Sequence, residues 1–137
     1  MKARKLVVAI AVRNRGSRLY GKPMQNLDIE SSTSVLDNII DCLRTVQCID
    51  EIVLGIAEGN DVKVFTDYAQ SADLNVITGD ERDVLSRLVS CGDKADATDI
   101  FRITSESPFP SYDKIDEVWK LHCDTNSDAT FYDDVVD

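Results

Sequence analysis

The chain has 137 residues, 43% of them hydrophobic and 29% charged, which suits one globular domain and excludes a disordered polymer. Its longest apolar run, Leu6 to Val12, is too short to cross a bilayer. Arg13, Arg15 and Arg18 stand where a signal peptide needs small residues, so we expect a cytoplasmic protein without membrane insertion. The net charge of −10 is unevenly spread: residues 1–27 hold seven basic residues and no acid, and the remainder holds eight basic residues against 25 acids. An acidic body disfavours nucleic acid, whereas a cationic loop upon it suits a small, highly charged anion. Lys2, Arg4 and Lys5 fit a solvated start, but Arg13, Arg15, Arg18 and Lys22 follow a strongly apolar strand and have Gly16 and Gly21 among them.

Leu6 to Val12 is continuous, apolar and β-branched, as expected of a strand buried on both faces of a parallel sheet. Residues 13–31 read as a long polar loop. Val35, Leu36, Ile39, Ile40, Leu43 and Val46 then repeat at helical spacing behind Ser32, Thr33 and Ser34, any of which can cap. A strand over 52–57, a helix over 61–72, a short strand from Asn75 to Ile77 ending at Thr78 and Gly79, and a helix around Val84 to Val89 follow. Ile100 to Ile103 reads as a fourth strand, Ser111 as the cap of a fourth helix with Asp113 and Asp116 in its first turn, and Ala129 to Tyr132 as a fifth strand. Strand and helix alternate throughout, which predicts one α/β domain over residues 1–137: a mostly parallel, Rossmann-like sheet with helices on both faces. Ligands of such sheets bind at the carboxyl ends of the strands, so the chemistry is expected in segments 13–31, 57–61, 78–83, 104–111 and 133–137.

The four cysteines, Cys42, Cys48, Cys91 and Cys123, form no CxxC pair, and His122 is the one histidine. Neither a disulfide scaffold nor a zinc site is expected from that spacing, and reduced thiols are. Gly16 to Lys22 satisfies the G-x-x-x-x-G-K part of a P-loop, but Pro23 follows where Ser or Thr must hold magnesium and offer a backbone N–H. A different phosphate loop fits better. Arg13, Arg18 and Lys22 leave a buried strand within ten residues, and guanidinium forks with an ammonium match the oxygens of a triphosphate. A flexible basic loop explains the same composition nearly as well.

These residues carry a resemblance. The stretch from Ala11 to Lys22, AVRNRGSRLYGK, resembles the first motif of the sugar-acid cytidylyltransferases, the group of the 3-deoxy-manno-octulosonate cytidylyltransferases and the spore-coat polysaccharide protein F-like enzymes. Gly79 to Arg87, GDERDVLSR, and Phe101 to Pro108, FRITSESP, followed by Ile115 and Asp116, are similar to two further motifs of that family, in the same order and spacing. The resemblance implies a three-layer nucleotide-diphospho-sugar transferase fold and covers the family's N-terminal, nucleotide-binding portion. It implies an enzyme that joins CTP to a sugar or sugar acid, releasing pyrophosphate, in polysaccharide or glycan synthesis. By position, Arg13, Arg18 and Lys22 would hold the triphosphate, with Arg13 and Lys22 catalytic. Ala11, Ser17, Gly79, Asp83 and Thr104 would complete the nucleotide site, and Arg87 would support the segment after Gly79. Glu106 stands where the family has a magnesium-binding Asp. Ser105 replaces a glycine of the pattern and Tyr20 a proline. Asp133, Asp134 and Asp137 read as a solvated acidic tail. A non-catalytic nucleotide-binding module and a transferase using another nucleotide such as GTP are the alternatives. A homodimer is also expected, although the family's dimer contacts lie in its second half.

Overall fold

A computed structural model of the chain describes residues 3–12, 26–28, 33–59, 62–104 and 114–130. Strands β1 (Leu6–Val12), β4 (Glu51–Ala57), β5 (Asn75–Gly79) and β6 (Asp99–Thr104) form a parallel sheet in the order β5-β4-β1-β6. Two short strands, β2 (Asn26–Asp28) and β3 (Thr33–Ser34), pair antiparallel, so part of the expected 13–31 loop is a small ribbon. The helices are α1 (Val35–Arg44), α2 (Val62–Ser71), α3 (Val84–Lys94) and α4 (Ile115–Thr125).

The period-2 geometry of β1 divides the core. Val8, Ile10 and Val12 join Leu36, Ile39 and Ile40 of α1, Phe65 and Ala69 of α2 and Ile115 of α4 on one face. Val7 and Ala9 join Leu88, Cys91 and Ala95 on the face covered by α3. Both faces of β1 are therefore buried, as its unbroken apolar run requires. Close approach on the α3 side needs small residues: a Cβ on Gly55 would lie 2.9 Å from the Cys91 Sγ, and one on Gly92 would lie 2.7 Å from Ile100 Cδ1.

Ser34 is the cap of α1. Its hydroxyl accepts from the Asp37 amide while Asp37 accepts from the Ser34 amide, both at 3.0 Å, and Tyr68 of α2 donates to the second Asp37 oxygen at 2.6 Å. Burial pushes the Asp37 carboxyl up, but the Tyr68 and Ser34 hydrogen bonds outweigh it and hold the group below its ordinary range. At α4, Asp116 and Glu117 occupy the first turn, but Lys114 is the cap position and makes no side-chain cap hydrogen bond. The expected cap Ser111, with Asp113, lies outside the described residues. The expected fifth strand is corrected in part: Ala129 and Thr130 are not in a strand, and residues 131 and 132 lie outside the described residues.

At the start of the chain Lys2 lies outside the described residues, and Arg4, exposed as its composition suggests, is nonetheless engaged. Arg4 donates twice to Asp99, at 2.8 and 3.2 Å, and its guanidinium lies 5.3 Å from the Trp119 ring centroid. His122 completes this cluster, with Nε2 3.0 Å from the same carboxylate and Nδ1 2.7 Å from the Thr130 hydroxyl. The Arg4 hydrogen bond, chiefly, holds the Asp99 pKa down at about 2. Lys5 donates to the Ala95 carbonyl at 2.6 Å. These contacts all lie at the amino-terminal edge of the sheet and tie α4 and α3 to it.

Candidate functional site

Strand order sets where a ligand can sit. The chain runs from β1 outward through β4 to β5, then returns to the other side of β1 as β6, which makes the carboxyl ends of β1 and β6 a topological switch point. Ala11 lies there, paired with Thr104 of β6 on one side and Gly55 of β4 on the other. Gly79 pairs with Ala57 at the end of β5, two strands or roughly 10 Å from β1.

One side chain organises this edge. Arg87 projects from the first half of α3 and is 2% exposed. Its Nη1 donates to the Gly55 carbonyl at 2.9 Å and to the Val12 carbonyl at 3.2 Å, so one guanidinium joins β4 to the last residue of β1. The stem reaches this position by passing Gly79, where a Cβ would lie 2.8 Å from Arg87 Cγ. Glycine at the end of β5 is thus a steric requirement of the buried arginine. Both hydrogen bonds come from the one Nη1 nitrogen, whose two N–H groups reach two carbonyls at once.

The turn between β5 and α3 is fixed by its own carboxylates. Asp80 Oδ1 accepts from the amides of Arg82 at 2.7 Å and Asp83 at 3.3 Å, and Asp83 Oδ1 caps α3 by accepting from the Ser86 amide at 2.9 Å. The Glu58 amide donates to the Gly79 carbonyl at 2.9 Å, closing β4 onto β5 beyond their last pair. Cys91 lies beneath this edge; burial pushes its thiol up to about 11, with Arg87 pulling it partly back, so it stays protonated at neutral pH.

Of the residues expected to form the site, the structure brings Ala11, Gly79, Asp83 and the backbone of Thr104 to the carboxyl edge of one sheet. The Asp83 carboxylate is engaged in capping α3. Arg13, Ser17, Arg18, Lys22 and Glu106 lie outside the described residues. Among the described residues no group of three or more His, Cys, Asp and Glu side chains could hold a metal ion. All four cysteines are free thiols. No described helix is long and apolar enough to cross a membrane. The sequence indicated Arg87 only as a support; its hold on Val12 and Gly55 has no motif, because its acceptors are backbone carbonyls.

The described four-stranded parallel sheet and its helices have the α/β fold seen in nucleotidyltransferases. More narrowly, it is the fold of the cytidylyltransferases. The chain superposes with a TM-score of 0.77 on a cytidylyltransferase from Leptospira borgpetersenii, at 20% identity over 87% of this chain and 49% of that one. It superposes with a TM-score of 0.73 on CMP:2-keto-3-deoxy-manno-octonic acid synthetase, solved with CTP, at 19% identity over 90% of this chain and 49% of that one. A 4-diphosphocytidyl-2C-methyl-D-erythritol synthase shares the fold at a TM-score of 0.65, with 16% identity over 90% of this chain and 56% of that one. In sequence, 113 residues are 25% identical to an uncharacterized protein of Methanocaldococcus jannaschii, covering 82% of this chain and 45% of that protein. No protein-family model matches. The chain spans about half the length of these relatives.

Proposed function

We propose that residues 1–137 form the nucleotide-binding unit of a cytidylyltransferase-like nucleotidyltransferase, which activates a sugar or sugar acid with CTP and releases pyrophosphate for surface polysaccharide or glycan synthesis. The observation that carries this reading is the buried Arg87 clamp. It fixes Val12, from which the basic segment Arg13 to Lys22 departs, against the ends of β4 and β5 in a fold shared with cytidylyltransferases. A synthetase of that fold solved with CTP supports the choice of nucleotide.

In this reading Ala11, Gly79, Asp83 and Thr104 frame base and ribose, and Ser17 and Arg18 contact the phosphates. A sugar hydroxyl oxygen attacks the α-phosphorus and gives up its proton to water, the bond to the bridging oxygen breaks, and pyrophosphate leaves with the electron pair. Arg13 and Lys22 hold the β- and γ-phosphates and offset the charge that grows on them. Glu106 is the proposed ligand of magnesium, which when bound supplies Lewis-acid polarisation of a phosphoryl oxygen. A protein of the same fold from Mycobacterium tuberculosis, at a TM-score of 0.57 and 16% identity, was solved with manganese, which supports a divalent ion.

Thermal unfolding with CTP, CMP and GTP, each with magnesium, tests the nucleotide. CTP should stabilise by roughly 2.7 kcal/mol at a hundredfold excess over its dissociation constant, and CMP much less. Equal shifts with CMP and CTP would overturn the triphosphate assignment, and a larger shift with GTP would move the reading to a guanylyltransferase. Lys22→Ala should weaken CTP binding, and pyrophosphate release with a sugar acid reports transfer.

A further inference from the structure

A cavity of about 340 Å³ opens at the amino-terminal edge of the sheet, opposite the proposed nucleotide site. Its size lies at the lower end of the range for small-ligand pockets, roughly 300–1,000 Å³. Leu6, Ile100, Phe101, Ile115, Val118 and Trp119 give it apolar walls. Three polar side chains in the same wall are joined in a row: Asp99 of β6, His122 of α4 and Thr130 beyond that helix.

The local chain explains why the three meet. Trp119 and His122 are three residues apart on α4 and share a face, and their rings stack with centroids 5.9 Å apart. Asn126 ends the helix in the left-handed conformation, which turns the chain, and four residues later Thr130 reaches the imidazole. The row also has a direction. Asp99 is ionised at neutral pH and can only accept, so the His122 Nε2 facing it at 3.0 Å carries a hydrogen. In the neutral imidazole Nδ1 is then an acceptor, and the Thr130 hydroxyl, 2.7 Å away, donates to it. Arg4 and Thr98 donate to the same carboxylate and hold it in place. A hydroxyl donating to an imidazole whose other nitrogen is fixed by a carboxylate is the arrangement that activates a nucleophile.

We propose that Thr130, His122 and Asp99 form a second active site, which hydrolyses uncharged esters of short apolar acids. Thr130 and His122 are its catalytic residues, and Asp99 is a positioning residue. The Thr130 oxygen attacks the carbonyl carbon and passes its proton to His122 Nδ1; the ester bond breaks and the alcohol leaves with that proton. Water then attacks the acyl carbon and gives a proton to Nδ1, which returns it to the Thr130 oxygen as the free acid departs. The apolar walls receive the acyl chain. An anionic substrate is disfavoured, because Asp128 also lines the cavity, the chain carries a net charge of −10, and Arg4 is engaged by Asp99.

The test is hydrolysis of p-nitrophenyl butyrate by the chain. It should run about 10²-fold faster than in His122→Gln, the lower end of general-base catalysis, because Arg4 shares the carboxylate that supports the imidazolium. Acid quenching should trap a butyryl group on Thr130, located by peptide mass spectrometry. Thr130→Ser should keep the activity, and Thr130→Val, of the same shape, should abolish it. His122 is the one histidine, so its ring-nitrogen NMR resonances need no assignment. They should show the Nε2–H tautomer in the parent chain, and Asp99→Asn should move it toward Nδ1–H and slow the ester hydrolysis. A parent chain that is not acylated on Thr130 overturns the proposal. So does hydrolysis that survives Thr130→Val or His122→Gln, or an Nδ1–H tautomer in the parent chain. The proposal does not rest on the nucleotide reading, and CTP binding, measured without an ester, stands or falls separately.

Discussion

Removing Arg87 and filling Gly79 should be coupled, and the coupling measures the clamp directly. Arg87→Ala leaves the Val12 and Gly55 carbonyls without their guanidinium donor, at about 1–3 kcal/mol each for buried groups. It also opens space where the stem was. Against this, a buried charge no longer has to be desolvated, which returns part of the loss. We expect a net destabilisation of about 3 kcal/mol, a large fraction of the roughly 5–15 kcal/mol available to a domain. Gly79→Ala in the parent chain sets a Cβ 2.8 Å from Arg87 Cγ and should cost about 1–3 kcal/mol through forced repacking. In the Arg87→Ala background the obstructing carbon is gone, so the same Gly79→Ala change should cost almost nothing. The expected coupling is therefore about 1–3 kcal/mol, read from urea unfolding midpoints at constant slope. Two single costs that add to within about 0.5 kcal/mol would refute the contact between β5 and α3. A fully stable Arg87→Ala protein would refute the clamp itself.

Two further outcomes follow from the electrostatics. Asp99, whose pKa is held down to about 2 chiefly by the Arg4 hydrogen bond, contributes stability that is present above the unfolded carboxyl value near 3.9. That contribution is lost as pH falls from about 4 toward 2. Unfolding curves across this window should show the loss in the parent chain and a flatter profile in Asp99→Asn; an unchanged profile would remove Asp99 from the acid response. Cys91, pushed up to about 11 by burial, should resist iodoacetamide at pH 8 in the folded chain and react once unfolded; alkylation at the rate of a free thiol while folded would contradict its packing against Gly55.

Some of this molecule is legible in its sequence, and the reasons are particular. β1 reads correctly because a strand buried on both faces needs apolar residues at every position, which no amphipathic helix offers. α1 and α2 read correctly because each buries one stripe at helical spacing. Ala129 and Thr130 do not read correctly: small and β-branched residues suggest a strand, but Thr130 directs its hydroxyl to His122 instead. The β2–β3 ribbon is hidden because strands of three and two residues carry no period to detect. Arg4 and Arg87 are hidden for a different reason. A cation in a sequence suggests solvent: Arg4 is exposed but pairs with a carboxylate 95 positions away, and Arg87 is buried against two backbone carbonyls.

Those two arginines also show how the sheet separates its tasks. At the amino-terminal edge Arg4 meets a carboxylate, and the pair is further held by His122, Thr98 and the Trp119 ring. Charge there is matched by charge, and the cluster fixes α4 against β6. At the carboxyl-terminal edge Arg87 meets the carbonyls of Val12 and Gly55, which are dipoles rather than full charges. Carbonyls orient a guanidinium through their dipoles, so these two contacts fix the last residue of β1 against β4. The rigid element of the proposed site is therefore the backbone at Val12, and the basic residues from Arg13 to Lys22 inherit their starting point from it. The large buried cation at position 87 thus joins α3 to the ends of β1 and β4, with Ser34 the other buried polar side chain among the described residues.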